Sequence, residues 1–226
     1  MKNRIGIALL VALLSGCQQN PAVEPTVEST TPVGGHLVGR DSVSTGRYLG
    51  IPIEENPAKT YAAIQALQQT KGVTFVNVVS NFVSDLSQLR ERLPLYHYIL
   101  MDESRGTDSG VQITVENDQI KHLYLNSGAK LTQWPAQSTA SSSIRVGDAI
   151  TSVYPKLVKI QANAAYAPKF ERVLLLTKNL STPFDPAMSQ SRQWYFIHQL
   201  GDGKMDEVQV NFREGKVSQI NINHYQ

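Results

Sequence analysis

Residues 111–125 and 208–222 carry the same fifteen-residue pattern without a gap, and this repeat limits the possible folds more than any other feature. Val111, Ile113, Val115, Ile120, Leu123 and Leu125 align with Val208, Val210, Phe212, Val217, Ile220 and Ile222. In each copy apolar and polar residues alternate, break at Asn117-Asp118 or Glu214-Gly215, and resume, which predicts a β-hairpin with one buried face. Both copies depart from strict alternation at the same place in the second strand, as a shared β-bulge requires. An internal duplication follows, and it governs how the rest of the chain is read.

Around the hairpins the correspondence is looser. Residues 95–101 and 194–200 are aromatic-rich strands that precede them. Asn56-Pro57 supplies an N-cap and a first-turn proline, so a helix is expected over 57–70 with a stop near Gly72. In the second copy Asp148 is expected to cap a shorter helix ended by Pro155. Phe75, Val79, Phe82, Leu86, Leu89 and Leu93 recur at steps of four and three, which predicts a second helix in the first copy. Residues 170–177, with Val173, Leu174, Leu175 and Leu176, read as a strand instead.

The N-terminal residues have the three parts of an export signal: Lys2 and Arg4, an uncharged stretch 5–14, then small residues. The apolar stretch is too short to span a bilayer, which takes roughly 20 residues. Leu14-Ser15-Gly16-Cys17 resembles the lipobox of bacterial lipoproteins. That resemblance implies lipid on Cys17, removal of residues 1–16, and, because Gln18 rather than aspartate follows, the outer membrane facing the periplasm. Two or three acyl chains anchor essentially permanently. Residues 17–47, with Pro21, Pro25, Pro32 and Gly34-Gly35, read as a flexible tether; within it Leu37, Val38 and Val43 leave open an edge strand. Cys17 is the one cysteine, so no internal disulfide is expected.

Of 21 basic residues, loss of Lys2 and Arg4 leaves 19 against 19 acidic ones. A neutral chain without basic runs does not collect polyanions, so nucleic acid is not an expected partner.

The run from Ile144 through Gly147-Asp148, Ile150, Val153 and Tyr154-Pro155, closed by Gly215 to Ile220, resembles a superfamily of small exported bacterial modules. It includes the β-lactamase inhibitor proteins and the SmpA/OmlA-type lipoproteins. The resemblance covers 48–226 in pattern and lacks the inhibitors' disulfide cysteines. It implies an α+β fold of two tandem modules, 48–137 and 138–226. Each has one or two helices packed on a small antiparallel sheet, after the signal peptide and a disordered tether.

Motifs for chemistry are sparse. Ser109 in Gly106–Gly110 is one place late for a nucleophile elbow and precedes a strand, and Ser127-Gly128-Ala129-Lys130 follows a strand end. His36, His97, His122, His198 and His224 lack metal-ligand spacing, although His97 and His122 sit where neighbouring strands bring side chains together. The acidic loops 102–108 and 202–207 lack the ligand order of a calcium loop. No catalytic, cofactor or metal site is therefore expected. The expected role is non-catalytic binding of an envelope or secreted protein through Tyr96, Tyr98, Trp134, Trp194 and Tyr195; envelope assembly, inhibition and immunity all fit. The alternative is a small enzyme or ligand carrier with a cleft between the modules.

Overall fold

The structure, a computed structural model, describes residues 35–226. The signal segment, Cys17 and the tether through residue 34 lie outside the described residues. In chain order the elements are β1 (Leu37–Val43), β2 (Arg47–Tyr48), β3 (Ile51–Pro52), α1 (Pro57–Lys71), β4 (Phe75–Val78), β5 (Phe82–Val83), β6 (Tyr96–Asp102), β7 (Val111–Glu116), β8 (Gln119–Leu125), β9 (Lys130–Leu131), β10 (Gln133–Trp134), β11 (Ile144–Arg145), α2 (Val153–Gln161), β12 (Arg172–Asn179), β13 (Gln193–Gly201), β14 (Lys204–Arg213) and β15 (Lys216–Tyr225). The end of the expected tether is folded: β1 is an edge strand on β15.

Local signals act as their chemistry dictates in the hairpins. β7–β8 turns through Asn117 (φ 49) and Asp118 (φ 60), and β14–β15 through Glu214 (φ 53) and Gly215 (φ 73). Positive φ at both central residues matches the right-handed twist of the flanking strands. The bulge falls at the same place in both: Thr114 faces His122 while Val115 faces Ile120, and Asn211 faces Gln219 while Phe212 faces Val217.

In α1 the Asn56 side chain accepts from the Lys59 amide at 3.0 Å, and Gly72 (φ 68) closes the helix in the left-handed region. Tyr61, Ile64 and Leu67 face the core. Asp148 does not cap α2. Its carboxylate accepts from the Arg145 amide and the Lys156 ammonium, and Pro155 lies in the first turn of α2, where a missing N–H costs nothing.

The helix expected over 75–93 is absent. Its residues form β4, β5 and 3-10 turns at Leu86–Leu89 and Leu93–Leu95. Val76 and Val78 are buried while Phe75 and Asn77 are half-exposed, a period of two favoured by β-branched residues. Phe82, a member of the apparent stripe, is 61% exposed. Leu86, Leu89 and Leu93 reach the core from tight turns, so the spacing of four and three coincided with a helical period without a helix.

The expected pair of small sheets is also replaced. One antiparallel sheet of eleven strands runs in the order β1-β15-β14-β13-β4-β12-β6-β7-β8-β9, with β5 added on β12. β6-β7-β8 and β13-β14-β15 are equivalent meanders, and the shift between hairpins (208 − 111 = 97 positions) also carries β4 onto the start of β12. The flanking elements are exchanged. β4 pairs with β13 of the second meander, and β12 pairs with β6 of the first. Tyr61, Ile64 and Leu67 of α1 pack with Trp194, Phe196, Val208 and Val210, whereas Val153, Leu157 and Ile160 of α2 pack with Ile99, Ile113 and Leu123. Each helix therefore covers the meander of the other copy. A central pairing of β4 with β12 makes the sheet continuous.

The two cores share one face of the sheet and meet at Lys178. It is opposite Val76 of the second core and Tyr96 of the first. Its side chain is fully buried; Nζ donates to the Tyr61 hydroxyl at 3.2 Å, the Asn179 carbonyl at 3.2 Å and Thr182 Oγ1. Beside it Asp185 accepts from Tyr96 Oη at 2.6 Å and Arg92 Nε at 2.8 Å, and Arg92 also donates to Asn81 Oδ1 at 2.7 Å. Burial lowers the Lys178 pKa from 10.5 to about 8, only partly offset by the Asp185 charge.

The unfolded chain thus holds more protons than the folded one between about pH 8 and 10.5, so stability rises with pH across that window. Urea unfolding of Lys178→Met is expected to show the rise abolished and stability at pH 7 increased on the order of 1 kcal/mol.

Candidate functional site

Strand alternation assigns one face of the sheet to the helices and leaves the other to solvent. On the second face, direct cross-strand partners form a row through eight strands: Asn221, Gln209, Tyr195, Asn77, Thr177, Tyr98, Thr114 and His122. All eight are half-buried. At about 4.8 Å per strand the row is roughly 34 Å long. Thr177 Oγ1 donates to Asn77 Oδ1 at 2.7 Å in its middle.

Tyr98 and Tyr195 stand symmetrically about that centre, at equivalent positions of the two meanders. Bulges enlarge the aromatic content there. Tyr96 and Ile99 both face the core, so His97 and Tyr98 between them both reach the open face; the His97 ring stacks on Phe75 with centroids 4.3 Å apart. A second row adds Phe82, Leu174, Leu100, Gln112 and Tyr124. Burial holds the Tyr98 hydroxyl up to about 12, and burial with the Glu207 charge raises Tyr195, so both remain neutral donors.

The other three expected binding residues belong to the core. Tyr96 is 1% exposed and committed to Asp185, and Trp194 is fully buried with Nε1 donating to the Met188 carbonyl at 3.2 Å. Trp134 is buried edge-on against Tyr166 at 5.5 Å. Sequence reasoning grouped them with Tyr98 and Tyr195 because all are aromatic; alternation around a bulge separates them. It also missed Phe75, Phe82 and Leu100, whose only signal was an apolar residue in the polar phase of a strand.

The polar loops resolve differently. Lys169 Nζ donates to Glu103 at 2.7 Å, Ser109 Oγ at 2.7 Å and Thr107 Oγ1 at 2.9 Å, with Asp102 at 3.8 Å. These contacts fasten the loop 102–110 to the segment before β12. Asp102 is saturated by the Glu103 and Thr107 amides, the Thr107 hydroxyl and Asn126. At Gly110 an added Cβ would fall 2.6 Å from the Asp102 carboxylate, which explains the glycine. His97 and His122 do not meet, because β7 lies between their strands. Among the described residues no group of three or more His, Cys, Asp or Glu is placed to hold a metal.

His224 joins β1 to the sheet. Its Nδ1 lies 2.7 Å from Asp206 Oδ1 and its Nε2 3.0 Å from Asp41 Oδ2 of β1, while the Tyr48 hydroxyl donates to Asp206 Oδ2 at 3.2 Å. The hydrogen bonds to Asp206 and then Asp41 raise the His224 pKa, since only the imidazolium donates to both.

No protein family, no curated protein and no solved structure matches the chain. A raised folded pKa contributes stability that is complete below the usual histidine value of 6.5 and is lost as pH rises through the folded value. Amide exchange of residues 37–43 is accordingly expected to speed up above about pH 6.5 by more than the intrinsic rate, and His224→Asn should remove that pH dependence.

Proposed function

We propose that the chain is a lipid-anchored periplasmic protein, held by Cys17 at the outer membrane, that binds an envelope or secreted protein non-catalytically through its helix-free sheet face. The observation that carries this reading is the eight-strand row with Tyr98 and Tyr195 flanking its central Asn77–Thr177 pair. A face about 34 Å across is of protein-docking rather than small-ligand scale. Its chemistry fits as well: tyrosine, histidine, amides and threonine, with charged residues outnumbered, resemble the depleted-charge, aromatic-enriched centre of an interface. Tyrosine supplies contact area at low entropic cost and a hydroxyl to hydrogen-bond.

A photocrosslinking residue in place of Tyr195 should capture one envelope protein, whereas the same residue in place of Val158, exposed on α2, should not. Tyr98→Ala with Tyr195→Ala should weaken retention of that protein at least tenfold, the loss expected for central anchors. Equal capture at both positions, or no partner but a small molecule retained in native mass spectrometry, would favour the ligand-carrier alternative. For the anchor, Cys17→Ser is expected to abolish incorporation of labelled palmitate and to release the protein from membranes.

A further inference from the structure

The turn end of the second meander holds a concavity of about 700 Å³, formed by the strand ends of β14 and β15 and the segment leading into β13. Gln190, Arg192, Arg213, Gln219 and Asn221 line it, over the edge of Phe212. None of those five side chains makes a hydrogen bond or ion pair with another described residue. Arg92 with Asp185, Lys156 with Asp148 and Lys169 with Glu103 are cations held by a carboxylate, whereas Arg192 and Arg213 stand exposed at the rim of the concavity. Here two guanidinium groups share a hollow with one carboxylate, Glu214. The local balance is one net positive charge in a chain that is otherwise near neutral.

The duplication provides an internal control. Moved back by the same 97 positions, Gln190, Arg192, Arg213, Gln219 and Asn221 become Leu93, Leu95, Glu116, His122 and Tyr124. Leu93 is 1% exposed, in the core. The fold therefore does not require this set: one copy carries a cluster of solvent-facing planar donors and acceptors around the concavity, and the other does not.

We propose that this concavity binds an anionic oligosaccharide. Guanidinium forks match a carboxylate or phosphate bidentately. Amide side chains both donate and accept, as the adjacent hydroxyls of a sugar ring require. The volume lies within the range of ligand sites. The site does not rest on the protein-docking reading, which it adjoins only at Asn221.

Calorimetric titration of the full chain in detergent micelles tests it with three probes: a hyaluronan tetrasaccharide, neutral chitotetraose and inorganic phosphate. The carboxylated tetrasaccharide is expected to bind, at least tenfold more tightly than either of the others and more weakly as salt rises. Arg192→Gln with Arg213→Gln should lower that affinity at least tenfold, and Asn221→Ala severalfold. Tyr98→Ala should leave it unchanged, so failure here and failure of protein docking are separate results. All the substituted side chains are solvent-facing, and unchanged thermal unfolding verifies the fold. Absence of tetrasaccharide binding, equal binding of chitotetraose, equal binding of phosphate, or affinity indifferent to the arginine substitutions would each overturn the proposal.

Discussion

Everything in this fold depends on the antiparallel contact of β4 with β12, three residue pairs long, at the centre of the sheet. These strands come from opposite copies of the repeat, and each is also paired to the other copy's meander. Without that contact, the two three-stranded meanders have no common sheet. With it, α1 and α2 are carried across the midline, and each core contains segments far apart in the chain. The exchange makes the copies interdependent: α1 buries its apolar face against the second meander, not against the meander of its own copy.

The midline is polar on its covered side and aromatic on its open side, and the two properties share a cause. Three residues of β12, Leu176, Thr177 and Lys178, and the matching bulge at His97 and Tyr98, shift the alternation of both strands by one position. Lys178 is thereby turned in between the cores, where Tyr61, Thr182 and the Arg92–Asp185–Tyr96 network surround it. Thr177 and Tyr98 are turned out, into the row that crosses the sheet. The buried ammonium costs stability, and the pairing network beside it gives the seam one defined arrangement.

Much of the local structure was legible in the residues. The Asn56 cap and Gly72 stop, the two hairpins and the bulge they share depend on neighbours within a few positions, and each was readable as such. The helix expected over 75–93 was not correct. Six apolar residues at helical spacing had no means of declaring that Val76 and Val78 would be central strand residues, with Phe82 left exposed. The five aromatics proposed for binding divided in the same way. Tyr98 and Tyr195 lie on the open face, whereas Tyr96, Trp134 and Trp194 are core, and a one-residue shift in strand phase decides which.

The sequence by itself determined the duplication, the hairpins with their turns and bulges, and the first helix, because hydrogen bonding and backbone preference within short segments suffice for these. Only the tertiary structure decided that the copies trade their helices and central strands, that two expected sheets are one, and which aromatics meet solvent. Pairing between strands about a hundred residues apart is set by which arrangement buries the most apolar surface for the whole chain. That competition leaves no local mark at Val76, Thr177 or Tyr98 to be read in advance.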